Sequence, residues 1–164
     1  MLEHRPFVLV GVVCLILFVL YKNSEPEQRP RENLVIEGIR SKIIKLNKQF
    51  KHLDIREADS SFTEDKSVIY LCLRDKDTGQ PYDMNTLIYV ILHELAHLLN
   101  KDNYGHTPEF YDIFNKLLCK AEKEGIYDST KPREKWYCGV DISDIEMPTC
   151  STIQGIDQIE KLTI

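Results

Sequence analysis

Between Asn85 and Leu99 the chain reads NTLIYVILHELAHLL. A helix over this run is apolar nearly all round, and such a helix belongs in the middle of its domain. Asp83 or Asn85 is placed to cap its start. Only His93, Glu94 and His97 interrupt the apolar surface. Burying three such groups without partners would cost several kcal/mol, so the fold must bring something to meet them. Residues four apart on a helix share a face. His93 and His97 can therefore reach one cation, with Glu94 projecting beside them. Their order is the H-E-x-x-H pattern of zinc sites.

A catalytic zinc takes three protein ligands and keeps a fourth position for water. The metal acidifies that water, and a carboxylate in reach can take its proton and deliver it to a leaving amine. Glu94 is the expected general base. The third ligand must come from elsewhere, and the chain has only five histidines. His106 follows Gly105 and directly precedes Thr107-Pro108, which reads as a helix cap followed by proline at the first helical position. His106 is thus held at a defined place and is the expected third ligand of Zn2+, with Asp102 and Glu109 as rivals. Tyr104 and Tyr111 are secondary candidates for stabilising an oxyanion. Glu109 can also orient a ligand or favour the helix start.

The remaining elements form a small α+β domain around this helix. Ile36, Ile39, Ile43, Leu46, Phe50 and Leu53 recur at spacings of three and four and predict an amphipathic helix over 33–53. Ser67–Leu73 (SVIYLCL) predicts a strand covered on both faces, and Asp54-Ile55-Arg56 a shorter one. Asp77–Pro81 is a turn cluster. After Thr107, the apolar face Phe110, Phe114, Leu117, Leu118 and Ala121 predicts a second helix ending at Gly125. Lys116, Lys120 and Lys123 read as its solvated face. Tyr137–Val140 is placed to pack against the domain.

His93-Glu94-Leu95-Ala96-His97, the following loop and Gly105-His106-Thr107-Pro108-Glu109-Phe110 resemble the active-site segment of the SprT-like and WLM families of zinc peptidases. Leu71-Cys72-Leu73-Arg74 is also similar to WLM proteins. The resemblance covers Val68 to Tyr127, roughly a third of the chain. Metzincins are excluded, because their third histidine comes sooner and follows a glycine that Asn100 replaces. The resemblance implies a minimal zincin-like fold and hydrolysis of peptide bonds in a protein or peptide substrate. It also implies a sheet edge over the cleft that binds extended substrate by strand addition, here assigned to Ser67–Leu73. SprT-like and WLM proteins are mostly soluble, and several digest proteins crosslinked to DNA. In layout the chain is closest to small membrane-anchored WLM-like proteins of large DNA viruses.

That layout rests on the N-terminus. Phe7–Tyr21 (FVLVGVVCLILFVLY) is uncharged and is followed by no small-residue cleavage site. Residues 1–22 are expected to form a single transmembrane anchor, with Arg5 and Lys22 flanking it. Residues 23–32 follow as a polar, proline-containing linker, 33–130 as the peptidase domain and 131–164 as a C-terminal extension. Lys22, Arg29 and Arg31 outnumber the positive charges before the span and put the catalytic domain in the cytosol. There Cys72, Cys119, Cys138 and Cys150 are expected as reduced, mostly buried thiols, although their even number permits two disulfides in an oxidising compartment. The net charge of -5 argues against a broad nucleic-acid surface but leaves a local one open. The rival to an enzyme is a catalytically inactive metal-binding membrane protein that acts as a binding or assembly factor.

Overall fold

The computed structural model describes residues 34–100, 105–142 and 148–161. Its elements run α1 (Leu34–Ile43), β1 (Asp54–Glu57), β2 (Phe62–Glu64), β3 (Val68–Leu71), α2 (Met84–Leu99), α3 (Pro108–Lys123), β4 (Trp136–Tyr137) and β5 (Val140–Asp141). Short 3-10 helices cover Lys48–His52, Cys150–Thr152 and Ile156–Lys161. The architecture is α+β with two small sheets.

The helix expected over 33–53 is shorter than its periodicity suggests. It ends at Ile43, and the chain turns before a 3-10 helix whose start is capped by the Asn47 side chain, which accepts from Gln49 N. Asn47 favours that local bond over helix continuation. Its Nδ2 also donates to Ile159 O at 3.0 Å. The apolar stripe survives the break, since Ile39, Ile43, Leu46 and Phe50 are all fully buried.

The first sheet has the order β1-β3-β2. β1 runs parallel to β3, with Ile55 opposite Ile69, and β2 runs antiparallel to it, with Thr63 opposite Ile69. Side chains alternate between faces. Ile55, Thr63 and Ile69 therefore share the inner face toward α2, while Arg56, Phe62 and Tyr70 share the outer one. Outside, Phe62 stacks on Tyr70 with ring centroids 4.6 Å apart. The expectation of a strand covered on both faces is corrected: Ile69 and Leu71 are buried, Val68 and Tyr70 only half so. β2 and β3 are joined by Asp65, Lys66 and Ser67, the first two in the left-handed region with φ of 46° and 52°. Ser67 N donates to Glu64 O at 3.0 Å and closes a turn whose backbone twist matches its strands.

Helix α2 is central. Asp83 caps it, its carboxylate accepting from Asn85 N at 2.7 Å. Every residue of α2 is buried except Met84, His93 and His97, which are half-buried. Helix α3 starts on Thr107, whose side chain accepts from Phe110 N, with Pro108 in its first turn. Tyr89 of α2 meets Phe114 of α3 edge-on at 5.3 Å.

The segment after Lys131 packs on the same core. Tyr137, Ile142 and Ile159 are buried, and two disulfides tie the segment down, Cys72–Cys138 and Cys119–Cys150. This corrects the expectation of reduced thiols. The paired cysteines lie 66 and 31 residues apart, a separation that no local spacing pattern announces. Lys120, expected on a solvated face, is only 2% exposed, on a helix that packs against the C-terminal 3-10 helices.

The transmembrane expectation is also corrected. Among the described residues, no helix is long and apolar enough to cross a membrane. The most apolar helix, α2, has 16 residues and rises about 24 Å, short of a hydrocarbon core of about 30 Å, and it carries the polar triplet. Residues 1–22, where the anchor was expected, and the linker 23–32 lie outside the described residues. The described residues thus give no support to a single-pass membrane localisation, and the fold class they show is α+β with small sheets.

Candidate metal centre

One helix and one turn deliver the candidate ligands. His93 and His97 lie on successive turns of α2. His106 arrives from the turn before α3, where Gly105 takes a φ of +100° that an L side chain rarely adopts. The three Nε2 atoms converge: 3.2 Å from His93 to His97, 3.2 Å from His97 to His106 and 3.0 Å from His106 to His93. A neutral imidazole nitrogen carries either a proton or a lone pair, so three at these separations cannot all satisfy one another by hydrogen bonding. One cation facing three lone pairs can. A tetrahedral ion with metal–nitrogen bonds of about 2.0–2.1 Å spaces its ligand atoms about 3.3–3.4 Å apart, near the observed triangle. His93, His97 and His106 form a group that could hold a metal ion.

The local electrostatics suit such an ion. Burial, then the neighbouring His97 and His106, push the His93 pKa down to about 3. Burial, then His106 and Lys66, push His97 down to about 4. Both imidazoles are neutral near pH 7 and offer lone pairs. Glu94 is only 6% exposed, and burial raises its pKa to about 7, against the opposing effect of a hydrogen bond from Thr63. A carboxyl poised there can accept or release a proton at neutral pH.

Thr63 reaches Glu94 because β2 turns its inner face toward α2. Its Oγ1 lies 2.9 Å from Glu94 Oε2 and 3.1 Å from Glu94 O, and its single proton serves both acceptors. Phe110 supports the ligands from behind. Its ring centroid is 4.9, 4.4 and 4.8 Å from those of His93, His97 and His106, and its side chain is fully buried. The cleft in front is lined by Phe62, Thr63, Lys66, Glu94 and the three imidazoles. Lys66 Nζ donates to Asn100 O, tying the hairpin turn to the end of α2.

The remaining sequence candidates separate cleanly. Glu109 is exposed in the first turn of α3 and is not among the grouped ligands. Tyr111 is 44% exposed, its ring centroid 6.0 Å from that of His106. Asp102 and Tyr104 lie outside the described residues. Thr63 and Lys66 had no sequence signal, because both sit in a polar stretch without clear periodicity. Phe110 had one: it falls four residues after His106, on the apolar face of α3. The strand-addition assignment is corrected as well. β3 is hydrogen-bonded on both sides, whereas β1 and β2 are the edge strands and β2 lines the cleft.

Comparison with known proteins found viral relatives. The chain is 48% identical over 88 residues to the uncharacterized protein 136R of Invertebrate iridescent virus 6, covering 52% of this chain and 49% of that protein. It is 46% identical over 91 residues to the uncharacterized protein 042R of Invertebrate iridescent virus 3, covering 56% and 57%. An uncharacterized protein of Acanthamoeba polyphaga mimivirus is 41% identical over 90 residues, covering 52% and 44%. The chain spans about half the length of these curated relatives. No family model matches the chain, and no solved structure matches it.

Proposed function

We propose that this chain is a zinc-dependent metallopeptidase of the SprT-like or WLM type, acting on a protein or peptide substrate. The observation that carries the reading is the convergence of three Nε2 atoms within 3.2 Å of one another beside a buried carboxylate. Three neutral imidazoles suit Zn2+ among the common divalent ions. Three protein ligands leave a position open for water and substrate, as a catalytic zinc requires and a closed structural site does not. A structural site also needs no base, yet Glu94 is buried next to the ligands.

When bound, the ion would acidify a coordinated water and polarise the scissile carbonyl. The chain's own groups supply the rest. Glu94 takes the proton from the attacking water and hands it to the departing amine. Thr63 holds the Glu94 carboxylate in one orientation through its hydroxyl. Phe110 fixes the rings of His93, His97 and His106. The free edge of β2 pairs with an extended substrate through backbone hydrogen bonds, which lays the scissile bond across the triad.

Metal analysis of the purified full-length protein tests the site. About one zinc per chain is expected, lost in His93→Ala and His97→Ala and strongly weakened in His106→Ala. Unchanged metal in all three variants overturns the ligand assignment. Loss in Glu109→Ala or Asp102→Ala, with His106→Ala unaffected, moves the third ligand. A protease assay on an unfolded protein, with and without single-stranded DNA, then reads the substrate class.

A further inference from the structure

A second cavity adjoins the metal cleft. The cleft itself is lined by Phe62, Thr63, Lys66 and His97 at one end. The adjoining cavity, about 290 Å³, is lined mainly by Tyr89, Val90, Tyr137, Val140 and Ile142, with Asp141 among its polar members. His93, Glu94 and His106 line both, so a peptide lying across the triad has one neighbouring side chain at the cavity. A cavity of about 150 Å³ already holds a benzene ring, and this one has room for a large aliphatic or aromatic side chain.

The outer wall of the cavity is the β4–β5 hairpin, and it is fixed in three ways. The Cys72–Cys138 disulfide ties its turn to the chain just beyond β3. Tyr137 Oη donates to Cys72 O at 2.6 Å. That donation uses the phenol's only proton, so Ser61 Oγ is the donor in its 2.7 Å contact with Tyr137 Oη, while accepting from Cys72 N at 2.9 Å.

A second observation concerns the surface. Exposed large apolar residues gather around the same opening. Val140 is 60% exposed on the cavity wall, and Tyr111, 44% exposed, stands beside His106. Single exposed apolar residues carry little meaning, but a cluster around a concave site marks where an apolar ligand lands.

Building on the peptidase reading, we propose that this cavity is the specificity pocket. It takes a large apolar side chain, leucine, methionine or phenylalanine, of a residue flanking the scissile bond, and the disulfide-held hairpin is its wall. Val140, Ile142 and Val90 set the preference.

Two measurements on full-length protein test this. The first maps cut sites of the zinc-loaded protein in a random peptide mixture by mass spectrometry. The second measures binding to the Glu94→Gln protein of an alanine-based peptide carrying one leucine, against its counterpart carrying one aspartate. Large apolar residues should dominate one flanking position. Val140→Asp should weaken both cleavage and binding of the leucine peptide by about tenfold or more, the scale set by losing one buried apolar side chain. Val140→Thr, nearly the same shape, should fall between. Val140 is exposed enough that neither change disturbs the core. A flat cleavage profile, or leucine-peptide binding indifferent to Val140→Asp, overturns the pocket assignment and leaves the peptidase reading standing. Leucine-selective binding without any cleavage rejects the peptidase reading and keeps the pocket. Absence of both overturns the two together.

Discussion

Helices α2 and α3 and the segment from Trp136 to Lys161 pack on one core by different means. The helices bury long apolar stripes, including Leu87, Ile91, Leu95, Phe114 and Leu117, each at most 1% exposed. Among its described residues the C-terminal segment offers few comparable anchors, chiefly Tyr137, Ile142 and Ile159. It relies on Cys72–Cys138, Cys119–Cys150 and isolated hydrogen bonds such as Asn47 to Ile159. Non-directional burial positions the ligands, and covalent ties position the wall beside them. The ligand scaffold and the cavity wall can therefore be broken separately.

The largest effect should come from Phe110→Ala. Removing a fully buried ring costs about 3–5 kcal/mol and takes away the backing of all three imidazoles. Urea unfolding should show the loss of stability, and zinc content should fall with it. Normal zinc affinity in a destabilised Phe110→Ala protein would mean that the rings are held by something else.

Breaking the other region should give the converse pattern. Replacing Cys72 and Cys138 together by serine should cost about 2–4 kcal/mol, read by urea unfolding, with zinc stoichiometry unchanged. Loss of zinc in that variant would join the two regions that the comparison separates.

Acid should act on the ligand region of the metal-free protein. The folded state keeps His93 and His97 neutral down to about 3 and about 4, below their ordinary value of 6.5. The unfolded chain takes up those protons first as pH falls, so stability present above about 6.5 is lost on the way down. Glu94 works in the opposite sense. Its pKa is raised from 4.5 to about 7, so its contribution is present below 4.5 and lost as pH rises through about 7. The two oppose between 4.5 and 6.5, and only the histidines still change below 4.5. Thermal unfolding after chelation should therefore show its steepest acid loss below 4.5. Glu94→Gln should steepen the loss above that point; an unchanged profile would contradict the assignment.

The smallest effect belongs to Thr63→Val, which keeps shape and removes one hydroxyl. Stability should fall by about 0.5–1.5 kcal/mol, and turnover should fall with KM nearly constant. An equal change in KM would point to substrate contact rather than to orientation of Glu94.

The same division explains what could be read from the chain. α2 was legible because its apolar run is long and its three polar residues are conspicuous against it. Thr107-Pro108 marked the start of α3, and with it the place of His106. The hairpins were not legible, because their turns use Asp65-Lys66 and Cys138-Gly139 where asparagine-glycine or aspartate-glycine would announce them. Thr63 came to face Glu94 only through pairing with Ile69, a tertiary fact. The side-chain bond by which Asn47 caps the following 3-10 helix left no mark in the apolar periodicity, which runs on past the end of α1. The disulfides joined cysteines whose separations carry no pattern.

The central claim is that Glu94 moves a proton for a reaction at the metal held by His93, His97 and His106. Paired metal analysis and peptidase assay of the wild-type and Glu94→Gln proteins test it most directly. The account predicts about one zinc per chain in both, hydrolysis of an unfolded protein by the wild type, and loss of that turnover in Glu94→Gln. Wild-type turnover in Glu94→Gln, or a wild-type protein that binds zinc and cleaves nothing, would contradict it.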